Sequence, residues 1–124
     1  MKKFLFAASI FGFIAVGLGA LGSHGFKEIL MKNNHLETFN IAVDYMFYHS
    51  IMISITAFLV DKFPDRKFGL SGWAFIIGVV FFSINMVIIS LLNFKMFTFL
   101  NPIGGTLLML GWINLAVQAL KLKK

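Results

Sequence analysis

Four long apolar runs, separated by short polar stretches, organise this chain. They cover residues 4–23, 37–60, 71–92 and 102–120. Each is close to the ~20 residues a helix needs to cross ~30 Å of hydrocarbon. A helix satisfies its own backbone hydrogen bonds, which lipid cannot do, so the runs predict membrane-spanning helices. The expected fold class is all-α, a four-helix transmembrane bundle that makes residues 1–124 a single integral-membrane domain.

The polar stretches refine this picture. Between the first two runs, Phe26, Ile29 and Leu30 recur at helical spacing beside Lys27, Glu28 and Lys32. That pattern predicts a short amphipathic helix lying at the interface. Asn33-Asn34 breaks it, and Asn34 with Glu37 three residues on has the spacing of a capping box for the second span. A charged loop from Asp61 to Lys67 follows, with Pro64 as punctuation, and Trp73 stands at headgroup level as the third span opens. Asn101-Pro102 reads as a capping residue followed by proline at the first helical position of the fourth span. Lys2 and Lys3 before an apolar run also fit a signal peptide. The run is long enough to span, so a retained helix is expected.

Composition agrees with the pattern. Of 124 residues, 59% are hydrophobic and 13% charged, too little polarity to cover a soluble domain. An excess of 11 Lys+Arg over 5 Asp+Glu suggests nucleic acid in a soluble protein, but here the cations sit at the ends and in the loops. The partner implied is the lipid bilayer, with no nucleic acid. Lys2, Lys3, Lys62, Arg66, Lys67, Lys121, Lys123 and Lys124 fall on one side of a four-span topology, against Lys27, Lys32 and Lys95 on the other. The positive-inside rule then places both termini in the cytoplasm, in a plasma (inner) membrane protein. The absence of cysteine excludes disulfides, thiolate chemistry and Cys-ligated metal.

The first helix carries Ala8, Gly12, Ala15, Gly19 and Gly22 at alternating spacings of four and three. Small residues along one face let another helix approach closely. The partner is either another helix of the same chain or a second protomer, and a homo-oligomer formed through this face is the expectation.

Candidate chemistry lies in the second run, where Asp44-Tyr45-Met46-Phe47-Tyr48-His49 puts a carboxylate and an imidazole inside an apolar segment. Ionisable groups at that depth are costly unless paired, and they mark functional sites by default. His49 lies ~16 Å from the cytoplasmic end of its span and Asn85 ~21 Å along the third, so the two are level within about a turn. His24 comes roughly a turn above Asp44. His24, Asp44, Tyr45, Tyr48, His49 and Asn85 therefore compose an expected polar cluster in the outer half of the bundle. Ser9, Ser54 and Asn114 would form a smaller layer nearer the cytoplasm.

Defined chemistries find little support. A metal site from His24, Asp44 and His49 lacks paired-ligand spacing. Ser50 beside His49 points to a different face, so no hydrolase nucleophile is formed. Gly104-Gly105 lacks the Lys-Ser/Thr that a phosphate loop needs and reads as a closely packed helix start. No metal, cofactor, catalytic residue or enzymatic activity is expected, and no substrate is indicated.

Several motifs in order resemble a known family. They are Gly19-Ala20-Leu21-Gly22-Ser23-His24-Gly25-Phe26-Lys27, Tyr45-x-x-Tyr48-His49, Ser71-Gly72-Trp73 with Phe81-Phe82-Ser83, and Asn101-Pro102-Ile103-Gly104-Gly105 with Gly111-Trp112. Together they resemble the YgdD/YwdK-like family of small membrane proteins, the domain of unknown function 423 family, which is similar to eukaryotic transmembrane protein 256. The resemblance implies a four-helix membrane protein and brings no activity, substrate or cofactor. Ser23 stands where the family pattern has Ala, and Met46-Phe47 stands where it has Gln-Met, which removes a polar partner from the cluster.

The functional expectation is thus a structural or accessory membrane protein ordered by its polar cluster. One alternative is a proton-coupled or solute-conducting protein using His49 and Asp44 as relay groups. Another is a lipid-binding module in which Lys62, Arg66 and Lys67 meet anionic headgroups.

Overall fold

The computed structural model describes residues 1–93 and 95–123, so Lys124, counted above among the cytoplasmic cations, lies outside the described residues. The apolar runs become helices: α1 (Lys2–Ser23), α2 (Lys27–Lys32), α3 (Leu36–Lys62), α4 (Phe68–Val79), α5 (Asn85–Leu92) and α6 (Leu100–Leu120). A π turn at Val80–Ile84 joins α4 to α5 without a break. Four helices are long and apolar enough to cross a membrane, namely Lys2–Ser23, Leu36–Lys62, Phe68–Leu92 and Leu100–Leu120. At 1.5 Å per residue, even the shortest reaches ~31 Å.

The helices pack in chain order. α1 lies along α3, α3 against α4 and α5, and these against α6, while α1 and α6 share no packing seam among the described residues. Phe4, Phe39, Met46, Ile53, Phe75 and Val79 are the bulk of the shared core.

Two antiparallel seams depend on glycine. Along α1 and α3, Gly22 lies over the Phe39 ring, Gly19 faces Val43 and Gly12 faces Ser50, with Ala8 and Ala15 buried. A Cβ on Gly22 would come within 2.5 Å of Phe39 Cε1. The small-residue stripe thus packs against α3 within the chain, the internal partner of the two that the sequence left open. Along α4 and α6, Gly78 faces Leu108, Gly111 faces Phe75, and Gly104 rests against the π turn. A Cβ on Gly104 would stand 2.5 Å from the Phe82 backbone nitrogen.

The helix ends differ from two sequence expectations. Asn34 does not cap α3, whose N-cap is His35, with no side-chain bond. Asn34 instead takes a left-handed φ of 58° and closes α2, with Asn34 N–H donating to Met31 O (3.1 Å) and His35 N–H to Leu30 O (2.9 Å). Those paired bonds are a Schellman motif, and asparagine tolerates the left-handed position it requires. Likewise α6 begins at Leu100, so Pro102 sits third in the helix and Asn101 is not its cap. Proline costs little there because first-turn N–H groups have no intrahelical acceptor.

Polar side chains serve the remaining ends. Asn33 Nδ2 donates to the carbonyls of Ser90 (3.3 Å) and Leu91 (3.4 Å), last-turn acceptors of α5 with no partner in their own helix. His35 Nε2 lies 3.0 Å from Asn93 Oδ1. At the opposite end, Gln118 Oε1 accepts from Lys67 N–H (3.2 Å), and Asn114 Nδ2 donates to Lys67 O (2.9 Å) and Ser71 Oγ (2.8 Å).

Candidate functional site

His49 stands midway along α3 and is 5% exposed. Its Nδ1 is 2.8 Å from Tyr45 O, one turn back. A carbonyl only accepts, so Nδ1 carries the hydrogen. The indole N–H of Trp112, from α6, donates to Nε2 across 3.1 Å. These partners assign a neutral imidazole with both nitrogens in use.

Aromatic rings enclose the imidazole. Phe75 lies 5.3 Å away between centroids, Trp112 and Tyr45 each 6.0 Å, and Phe75 meets Trp112 edge-on at 5.5 Å. Gly111 makes this possible, since a Cβ there would fall 2.6 Å from the Phe75 ring. Tyr45 extends the group to Phe82 in the π turn (5.2 Å) and to Tyr48 (6.1 Å). The resulting box draws on α3, α4, the π turn and α6.

The six residues expected to form one cluster are divided. Tyr45, Tyr48 and His49 stay together. Asn85 is buried elsewhere, its Nδ2 donating to Phe97 O (2.9 Å) and Asn101 Oδ1 (2.6 Å). His24 and Asp44 are exposed on the outside of the bundle, and among the described residues neither side chain forms a hydrogen bond. Asp44 borders a shallow groove of about 270 Å³ between α1 and α3, beside Gly19 and Tyr48. The reason is angular. Five residues separate Asp44 from His49, which at 100° per residue puts them ~140° apart around α3.

The second layer behaves similarly. Ser9 and Ser54 hydroxyls donate to the carbonyls of Leu5 (2.8 Å) and Ser50 (3.2 Å) in their own helices, while Asn114 joins Ser71 and Lys67. The Ser50 hydroxyl donates to Phe47 O (2.7 Å) and is directed away from nucleophilic use with His49. Among the described residues no group of three His, Cys, Asp or Glu side chains could hold a metal ion.

Sequence reasoning did not anticipate Trp112, Phe75 or Asn101. For Trp112 a signal existed: counted from the start of its helix it lies ~18 Å deep, and His49 ~20 Å. An indole N–H at that depth, facing lipid and not water, needs an acceptor.

With the geometry in place, comparison with known proteins bears on identity. The family described as "Protein of unknown function (DUF423)" matches residues 18–105, well over half the chain. The chain belongs to the DUF423 family. It is 33% identical to the UPF0382 membrane protein YwdK of Bacillus subtilis, over 98% of both chains. A UPF0382 membrane protein of Haemophilus influenzae is 32% identical, over 98% of this chain and 97% of its own. One from Staphylococcus epidermidis is 29% identical over 98% of both. No solved structure matches. The DUF423 match takes in His49, Asn85 and Asn101 and ends before Trp112, whose region is covered by the near-full-length relatives.

Proposed function

We propose that this DUF423 chain is a plasma-membrane protein with a structural or accessory role and no enzymatic activity, in which His49 is a fixed link between α3 and α6. The observation that carries this reading is the complete use of the imidazole. Nδ1 is held by Tyr45 O, Nε2 by Trp112, and the ring is walled by Phe75, Tyr45 and Trp112. A proton relay needs a further polar group on each side of the ring, and Asp44, the partner suggested by sequence, faces away from it.

In the same reading both termini and the 63–67 loop lie in the cytoplasm. Support comes from the cations at that end, Lys2, Lys3, Lys62, Arg66, Lys67, Lys121 and Lys123, against Lys27, Lys32 and Lys95 at the other. α2 then rests on the outer interface. Its Leu30 is turned into the core while Lys27, Glu28 and Lys32 are exposed, and Ile29, expected on the inner face, is exposed as well.

The test compares the wild type with His49→Ala, in detergent and in proteoliposomes carrying a pH-sensitive dye. The expected result is a lower melting temperature for the variant and proton flux no greater than that of empty vesicles for both proteins. Unchanged stability together with a wild-type flux that disappears in the variant would overturn the reading.

A further inference from the structure

At the end of the fold that carries both termini, a polar recess of about 300 Å³ lies between the α3–α4 loop and the residues following α6. Lys62, Arg66 and Lys123 border it with Asp65, and Phe63 and Leu122 give it apolar walls. Its two sides are fixed to each other. Arg66 N–H donates to Phe63 O (3.0 Å), closing a tight turn after α3, and Leu122 N–H donates to Ala119 O (3.1 Å), folding the chain back after α6. The Lys67 main chain is bonded to Gln118 and Asn114 of α6, and Gln118 is itself buried. Three cationic residues therefore line a recess whose two sides are tied by hydrogen bonds, against one carboxylate, and the Lys62 ammonium lies over the Phe63 ring (5.5 Å). Among the described residues none of the three forms an ion pair with a carboxylate.

We infer that this recess binds the phosphate of an anionic phospholipid headgroup. Arg66 matches the chemistry: a guanidinium offers parallel N–H donors to two phosphate oxygens, while Lys62 and Lys123 act as point charges. The size suits a headgroup, lying at the lower limit of small-ligand pockets. The surroundings favour a lipid over a free phosphate ester. Phe58 stands one turn before Lys62 on the same face of α3, Leu120 lies two residues before Leu122 of the lining, and both are exposed apolar side chains where acyl chains would run. The residue set differs from the sequence expectation of Lys62, Arg66 and Lys67, because Lys123 takes the place of Lys67, whose side chain lies outside the lining. The inference rests on membrane placement and is independent of the His49 link.

The experiment measures thermal unfolding of the full chain in phosphatidylcholine nanodiscs, with and without phosphatidylglycerol, and with soluble glycerol phosphate in parallel. Wild type and the charge-matched control Lys67→Ala combined with Lys121→Ala, neither of which lines the recess, should gain melting temperature as the phosphatidylglycerol fraction rises, since a ligand that binds only the folded state stabilises it. Arg66→Ala combined with Lys123→Ala should lose that gain, and Arg66→Lys, which keeps the charge without the paired donors, should keep part of it. Melting in pure phosphatidylcholine reports the folding of each variant separately. Equal gains in all variants, no gain in the wild type, or an equal gain from glycerol phosphate would each overturn the lipid site.

Discussion

Trp112 of α6 donates its indole N–H to Nε2 of His49 on α3 across 3.1 Å, and this bond links two helices that are not consecutive in the packing order. Both residues also touch Phe75, so α4 is held between them. The bond has a defined sense, because the indole can only donate and Nε2 must therefore accept.

That sense makes the pair testable by a double-mutant cycle with His49→Ala and Trp112→Phe. Trp112→Phe keeps an aromatic ring but leaves Nε2 without a donor. Polar pairs within membranes couple by about 0.6 kcal/mol on average and up to about 1.7. A coupling within that range is expected for this pair, and each single variant should unfold at lower temperature in detergent. Strict additivity of the two changes would show that they act through separate contacts.

Glycine 104 and glycine 17 should respond oppositely to the same change. A methyl group on Gly104 meets the backbone of Phe81 and Phe82, which cannot rotate aside, so Gly104→Ala should push α6 from the π turn. Overpacking of this kind costs about 1–3 kcal/mol. Gly17 has nothing within 4 Å of the same position. Gly17→Ala should be neutral or stabilise by up to ~1 kcal/mol, because a helical glycine loses more backbone freedom on folding than alanine. Melting temperatures in one detergent decide both, and a harmless Gly104→Ala would contradict the close approach.

The helices, and one face of α1, were legible in the sequence because both depend on period and length. Apolar runs long enough to span have few other outcomes, and Gly12, Gly19 and Gly22 at helical spacing had to meet a close neighbour. What could not be read was angle. Depth along a helix follows from counting only once its ends are known, and rotation about each axis then decides who meets whom. Asp44 is turned outward from His49, and the π turn rotates everything after Ile84 by about one residue's 100°, which aims Asn85 at Asn101 instead. Helix ends were misread for a related reason: Asn34 fits either a cap or a left-handed stop, and only the chain path distinguishes them.

The α1 stripe predicts a separation of stability from assembly. Gly12→Leu would drive a branched side chain toward Ser50 on α3, and Gly22→Ala would press on the Phe39 ring. Both should lower the melting temperature, by about 1–3 kcal/mol in stability for the leucine change. The mass of the folded species, measured by light scattering with detergent subtracted, should be that of the wild type. A drop in mass without loss of stability would restore the stripe to a contact between protomers.

Asn85 offers a test in which the nature of the replacement matters more than its size. Its carboxamide nitrogen donates to two oxygens, of which the Phe97 carbonyl can only accept. Asn85→Ala removes the donor and leaves those acceptors without it, a loss of about 1–3 kcal/mol for buried groups. Asn85→Asp is nearly the same shape, but at neutral pH it must either present a carboxylate to the Phe97 carbonyl or hold a proton that an ordinary carboxyl has lost, and both cost free energy. The aspartate variant should therefore be less stable than the alanine variant, reversing the order expected if volume alone counted. Thermal unfolding of the three proteins at neutral pH gives the order directly, and an aspartate variant as stable as the wild type would mean that Asn85 does not serve as the donor to this junction.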